Sequence, residues 1–502
     1  MRHLTICLLG TALAASAFTP ALAQEKDVTI VLSEELDVVE PCMASRSNIG
    51  RVVLQNISET ITELDPGGGG LKPRLAASWE AVDDDTWRFK LQPGVKFTDG
   101  SDFDAEDVVY SLKRTISDKI TCEIGAKYFG GMKLTTNVVD ATTLEITSEP
   151  PQPILPLLMS TLTIVPTGTD LNAFVKKPIG TGPYVFSEWN AGQNIVLTRN
   201  ENYWGKKPEV EKANYIFRTD MAVAAAMVAA GEADIVPSIA VQDATNPKTD
   251  FSYPNSETFF MRIDVQVAPL NDRRIREALN LAIDRDAFKG TILSKDVIEA
   301  TQIVPPSTIG WNGDLKVWPF DLAKAKALVA EAKADGVPVD TEIKIIGRTN
   351  NFPNGTEALE AMLAMWKEAG LNVSLTMYEV KEWEDSYSQP YAEDRPPQLI
   401  QVQHDNAKGD PVFTVYFKYH TNGLQSALKD PKVDSLIEKA TGAVGDERAK
   451  LWKEIFRMVY EDIIADIPMF HMVGYTRVSE RLNFKPTIAA NSELQLSQIS
   501  FK

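Results

Sequence analysis

The sequence predicts an α/β protein with more than one domain. Its length is the first reason. At 502 residues the chain is too long for one hydrophobic core, so two or three domains are expected. The second reason is a βαβ pattern. Glu342–Ile346 reads as a strand, and Thr356–Ala369 as a helix with Leu359, Met362, Leu363 and Trp366 at helical spacing. Gly370 stops that helix, and Leu371–Met377 alternates as a second strand. Such a unit implies parallel strands and a right-handed crossover.

The N-terminus reads as an export signal. Arg2 and His3 precede the apolar run Ile6–Phe18, and Ala21-Leu22-Ala23 offers the small residues that signal peptidase accepts. Cleavage is expected after Ala23, leaving about 479 residues. The run is too short for a stop-transfer helix. Cys7 follows the bulky Ile6 and sits very early, which argues against a lipid anchor. The formal charge of −18 argues against nucleic acid, whose phosphates need a basic face. Cys42 and Cys122 survive cleavage. In an oxidising compartment a disulfide between them is expected over two free thiols, if the fold brings their Cα atoms within bridging distance.

Along the mature chain, Val28–Leu32 reads as a strand, followed by a polar loop to Ser47 and a helix over Ile49–Thr62. Asp65–Gly70 is a turn, because no Gly-Lys-Ser/Thr follows its glycines. Thr86–Leu91 is an alternating strand. Ala105–Arg114 is a helix with Asp104 as cap and Asp107 at the reciprocal box position. Thr142–Thr147 and Asn214–Phe217 read as strands, and Met221–Ala230 as an Ala-rich, closely packed helix. Phe259–Val265 is a strand, and Asp272–Lys289 a helix whose Asp284 and Arg285 read as an exposed ion pair or cap. Gln398–Val402 is a short strand. Val433–Ala440 and Glu447–Ile464 are helices packed over the sheet, and Leu494–Phe501 returns to the first domain as a strand.

Several segments resemble one family. They are Pro178–Gly205 (PIGTGPYVFSEWNAGQNIVLTRNENYWG), Leu71–Trp79 with Thr86–Gly100, Gly231–Asp234, and the helix carrying Ile275, Arg276, Ala278, Leu279, Ala282, Ile283, Asp284 and Arg285. Together they resemble the extracytoplasmic solute-binding proteins of ABC importers, family 5, the peptide/nickel/opine type. The resemblance spans nearly the whole mature chain. It implies a two-lobed periplasmic-binding-protein fold (α/β, type II, cluster C-like) with an extra α+β subdomain inserted in lobe 1. On that reading residues 1–23 are the signal peptide, 24–60, 180–262 and 485–502 form lobe 1, 61–179 the inserted subdomain, and 263–484 lobe 2. It further implies a periplasmic monomer without cofactor or catalysis. Such a protein closes on a peptide or related small polar solute and delivers it to a membrane permease. An opine-like or sugar-phosphate conjugate is the alternative solute, ahead of a nickel chelate.

In open α/β sheets ligands bind beyond the carboxyl ends of the strands. That rule selects Gly347–Gly355 and Gln403–Pro411. Arg348 can hold a carboxylate or phosphate through its fork, with a structural salt bridge as its competing role. Asn350 offers both donor and acceptor, Asp405 can bind an ammonium group, and His404 and Asn406 complete the loop. In peptide-binding relatives a "G-D-N-G-D-P" stretch lies here, and its first Asp anchors the peptide amino group. This chain matches at Gly409, Asp410 and Pro411, and at Asp405-Asn406 only across a two-residue insertion. From the first lobe, Ser45, Arg46 and Asn48 follow the first strand, and Tyr128 is placed to pack on a ligand. Trp311 is either a cleft aromatic or core. A secreted hydrolase lacks support: there is no Gly-x-Ser-x-Gly and no His-Glu-x-x-His, and His404, His420 and His471 are too far apart in sequence for a metal motif.

Overall fold

The structure is a computed structural model that describes residues 26–45, 47–64, 71–406, 409–487 and 494–502. The signal segment, the glycine run 65–70, Arg46 and residues 407–408 lie outside the described residues.

One mixed sheet of eleven strands organises the molecule. Its strands are β1 (Asp27–Leu32), β2 (Tyr184–Asn190), β3 (Asn194–Arg199), β4 (Lys212–Phe217), β5 (Ile235–Val236), β6 (Asp250–Ile263), β7 (Ile298–Glu299), β8 (Ile343–Arg348), β9 (Val373–Tyr378), β10 (Gln398–Asp405) and β11 (Asp466–Val478). Their order is β9-β8-β10-β6-β11-β5-β1-β4-β3-β2, with β7 paired to β11. The two long strands β6 and β11 pair antiparallel from Asp250↔Arg477 to Arg262↔Asp466. Near one end β11 carries β5, and β5 leads to β1. Over Glu257–Ile263, β6 carries β10. These strands therefore join two half-sheets, one built on β1 and one on β8. Their pairing slips between Pro254 and Thr258, and bulges of this kind bend a ladder where two bodies meet. This is the two-lobed architecture.

The expected βαβ unit is present. β8 and β9 run parallel in register from Ile343↔Val373 to Arg348↔Tyr378, joined by the helix Gly355–Glu368, which buries Leu359, Met362 and Trp366. A separate four-stranded antiparallel sheet of Ala76–Ala81, Thr86–Leu91, Thr143–Glu149 and Lys133–Asp140 forms the inserted α+β body. Its helix Ala105–Thr115 has the capping box, with Asp104 accepting from Glu106 and Asp107 accepting from the Asp104 amide.

The Pro178–Gly205 segment closes around a buried carboxylate. Glu59 accepts from Arg74 Nε (3.2 Å), Thr181 Oγ1 (2.8 Å), Tyr203 Oη (2.8 Å) and Trp204 Nε1 (2.8 Å). Gly180 and Gly182 sit so close to the Ile57 carbonyl that a Cβ would lie 2.0 and 2.6 Å from its oxygen.

Four expectations change. The helix over Ile49–Thr62 stops early: Ser47–Ile49 and a wider turn, Gly50–Leu54, are helical, and Thr62 already lies in a strand. The Asn56 and Ile57 carbonyls are taken by the amides of Tyr184 and Gly182, so they cannot continue a helix ladder. The helix expected over Asp272–Lys289 spans only Arg273–Leu281, because the Leu281 carbonyl accepts from Asp321. Arg285 is not an exposed cap. It is buried and donates to the Pro468 carbonyl at 2.9 and 3.2 Å. At the C-terminus, Ser500–Phe501 pairs with Leu482–Asn483 rather than with the main sheet. The segment still reaches the first lobe, where Leu496 donates to Asn56.

Candidate ligand-binding cleft

A cavity of about 910 Å³ lies between the half-sheets. The carboxyl ends of β1, β8 and β10 open into it, as the strand-end rule requires. From the first lobe come Ser33–Asp37, Ser45, Asn48, Arg51, Glu123 and Lys127. From the second come Arg348, Asn350–Asn354, Trp383, His404, Asp405 and Lys418, and the bulged ladder adds Asn255 and Glu257 at the back.

Arg348 ends β8. Its amide donates to Gln401 Oε1 at 2.8 Å, and its guanidinium lies 5.8 Å from the centre of the Trp383 ring. One Nη donates to Glu34 Oε1 at 2.9 Å. Asn48 donates to the same oxygen at 3.4 Å and accepts from Arg51 at 2.9 Å. A polar chain therefore crosses the cleft through Arg348, Glu34, Asn48 and Arg51. Asp405 accepts from Ser256 on the bulged strand, opposite Glu257. Asn350 holds a left-handed backbone, φ 51°, which asparagine tolerates. Ser45 Oγ and Asn351 Nδ2 are buried without a hydrogen-bond partner among the described residues.

Two predicted residues do other work. Asn406 does not line the cavity: its amide donates to the Ile303 and His404 carbonyls at 2.9 and 3.0 Å and fixes the loop. Tyr128 packs edge-on against Phe413, ring centres 5.1 Å apart. It belongs to the helix Glu123–Tyr128, whose cavity face carries Glu123 and Lys127, one turn apart. Tyr128 projects about 100° from Lys127, away from the space. Trp311 packs against the main core. His404 does reach the wall, but Thr414 constrains it. The Thr414 hydroxyl donates to Asn406 Oδ1 at 2.9 Å and so accepts from His404 Nε2 at 2.7 Å. Burial, then Lys418 and Lys127, pushes the imidazole well below its usual range, so it is neutral.

Sequence reasoning missed Glu34, Lys127, Lys418 and Glu257. Glu34 lies two residues past β1, where the strand-end rule applies, so it was legible. Lys418 lies in the short helix Val415–Tyr419 and carried no signal. Its Nζ donates to Tyr387 Oη at 2.6 Å and to Gln425. Burial, Lys127 and Arg262 hold its pKa well below that of an ordinary lysine. Lys127 is shifted upward: burial opposes this, but Tyr128, Glu123 and Asp405 outweigh it. The buried and half-buried lining thus sets Glu34, Glu35, Glu123, Glu257, Glu384 and Asp405 against Arg51, Lys127, Arg348 and Lys418.

Cys42 and Cys122 form the disulfide, Cα atoms 5.3 Å apart. It ties the turn Pro41–Met43 to the helix carrying Glu123 and Lys127. Among the described residues no group of three His, Cys, Asp or Glu side chains is placed to hold a metal, and no helix is long and apolar enough to cross a membrane.

Residues 70–426 match the model of the bacterial extracellular solute-binding proteins, family 5. The chain belongs to that family. Among family 5 relatives, the heme-binding protein A of Haemophilus influenzae is 26% identical over 85% of this chain and 84% of its own length. The glutathione-binding protein GsiB of Salmonella paratyphi A is 30% identical over 74% of this chain and 73% of its own. The fold is similar to that of the periplasmic binding protein DppA of Helicobacter pylori in complex with the peptide STSA. The TM-score is 0.84 at 18% identity, covering 95% and 98% of the two chains. Family 5 proteins bind solutes outside the cytoplasm.

Proposed function

We propose that this family 5 protein captures a short peptide in the cleft and, by closing its lobes, presents it to an ABC permease. The observation that carries the reading is a cavity of about 910 Å³ between the half-sheets, lined by both signs of charge. It lies near the top of the range of about 300–1,000 Å³ for small-molecule pockets. Its paired charges suit a zwitterion, with Arg348 toward the carboxylate and Asp405 toward the ammonium group. Ser45, Asn48, Asn350 and His404 supply further polar contacts, and Arg46 belongs to the same group by its place in the chain. Peptide-bound DppA and the glutathione-binding relative support this class of solute. The protein acts without turnover as a periplasmic monomer after cleavage behind Ala23. Its lobes comprise 24–60, 180–262 and 485–502 against 263–484, with 61–179 inserted. Hinge motion at β6 and β11 closes the cleft.

Mass spectrometry of the solute that copurifies tests the class: peptides support it, and a heme or metal chelate refutes it. Calorimetry with the identified peptide tests the residues. Arg348→Ala and Asp405→Ala should each weaken binding by about 2 kcal/mol, roughly thirtyfold, as for truncation of one partner in a buried charge pair, with the fold unchanged by circular dichroism. Unchanged affinity in both removes the assignment.

A further inference from the structure

Lys418 is 5% exposed and lines the cavity from the second lobe. An ammonium group carries three donors. Lys418 directs two of them, to Tyr387 Oη at 2.6 Å and to Gln425 Oε1. Its Nζ lies 4.5 and 5.2 Å from the centres of the Tyr387 and Phe417 rings. Among the described residues no carboxylate pairs with it. The charged and titratable groups that face it are Lys127 and Glu123 from the helix Glu123–Tyr128, Arg262 from β6, Asp466 from β11, His404 from β10 and Tyr387 from the helix Val380–Tyr387. At Nζ the cations Lys127 and Arg262 outweigh the acids Glu123 and Asp466. Lys127 differs, because Tyr128, Glu123 and Asp405 outweigh its burial. Lys418 is also separate from Arg348. The Arg348 guanidinium lies 5.8 Å from the Trp383 ring, and Trp383 packs on Tyr387, ring centres 4.8 Å apart. The two cations therefore stand along one wall with two aromatic rings between them.

We propose that Lys418 is a specificity-determining residue: an anion subsite, separate from Arg348, that takes a second carboxylate, so that the cleft prefers peptides with an acidic side chain. This rests on the reading of the cavity as a peptide site. Arg348 meets the terminal carboxylate, which every peptide has, and Lys418 reads the side chain. The remaining donor of Lys418 makes a charge-assisted bond to that carboxylate. A side-chain amide in the same place brings no negative charge to a positive field. Burial and the neighbouring cations hold the free lysine well below its usual range. An anion beside it favours its charged form, so the arriving carboxylate draws a proton onto Nζ.

Isothermal calorimetry on the full mature chain at neutral pH tests this with two pairs of dipeptides. They are glutamyl-alanine against glutaminyl-alanine, and alanyl-glutamate against alanyl-glutamine. In at least one pair the acid should bind about tenfold more tightly than its amide, the worth of one charge-assisted bond. The same acid should take up more protons than its amide, read from the enthalpies in phosphate and Tris buffers. A merely structural lysine would produce no such difference. Lys418→Met should abolish both the preference and the extra uptake. Should that variant not fold, the wild-type affinities and proton uptake decide. Amides that bind as tightly as the acids in both pairs, or equal proton uptake, overturn the subsite and leave the peptide reading standing. A preference that survives Lys418→Met puts the anion elsewhere and overturns it as well. No binding by any of the four dipeptides removes the peptide reading on which the subsite rests.

Discussion

Asp466 shows how burial alone resets a side chain. It opens β11 opposite Arg262, accepts from the Tyr419 hydroxyl, and has its other oxygen buried without a partner. Burial raises its pKa to about 7, against the lowering effects of Tyr419, Arg262 and Lys418. A folded-state pKa above the unfolded value means that the native state holds the extra proton. Its contribution to stability is therefore complete below about pH 4 and is lost as pH rises through about 7. Asp466→Asn removes that loss. Between about pH 4 and pH 7 the variant should gain on wild type by on the order of 1 kcal/mol per pH unit and level off above 7, read from urea midpoints at pH 5, 6, 7 and 8. Parallel pH profiles would refute the shifted carboxyl. His471 shifts the opposite way, to about 4 by burial, so both groups sit in the core in their neutral forms near pH 6.

At the scale of elements, the Pro178–Gly205 segment is a clamp on Glu59. Four donors from three stretches of chain meet on that carboxylate, and the approach of Gly180 and Gly182 to the Ile57 carbonyl leaves no room for a side chain. Glu59→Gln keeps the shape but removes the charge and one acceptor facing the buried Arg74. It should destabilise the protein by about 3 kcal/mol, as breaking a buried ion pair does, measured as a fall in the urea midpoint. An unchanged midpoint would mean that the clamp holds nothing. Amphipathic elements of this chain were legible wherever their ends were local. The helix Ala105–Thr115 carries its own capping box, and the helix Gly355–Glu368 its own apolar stripe. Elements ended by distant partners were not, as at Leu281, whose carbonyl is claimed by Asp321.

At the scale of the molecule, the disulfide spans 80 residues and joins the inserted subdomain to the loop after β1. Both tethered segments line the cleft, through Met43 and Ser45 on one side and Glu123 and Lys127 on the other. Closing a loop of that length stabilises by about 4 kcal/mol in the chain-entropy account. Paired Cys42→Ser and Cys122→Ser substitution should lower the melting temperature and weaken solute binding together, read by calorimetry with and without solute. A melting shift with unchanged affinity would separate the tether from the site. The two lobes also meet away from β6 and β11. Tyr128 meets Phe413, and the Tyr416 ring fits against Gly130 and Gly131, where a Cβ would lie 3.2 and 2.6 Å from it.

The sequence by itself determined the α/β class, the two strand-end loops and the cysteine pair, because each is written in local spacing or composition, and the family through the motifs that resemble it. Only the tertiary structure decided which side chains face the cleft. A strand-end rule finds a loop but not the rotation of the residues within it, so Asn406 turned inward and Tyr128 toward Phe413. Glu34, Lys127 and Lys418 entered from segments whose meeting depends on how β6 and β11 join the two half-sheets. The ion pair that Arg348 makes with Glu34 joins positions 314 apart, beyond the reach of any local pattern.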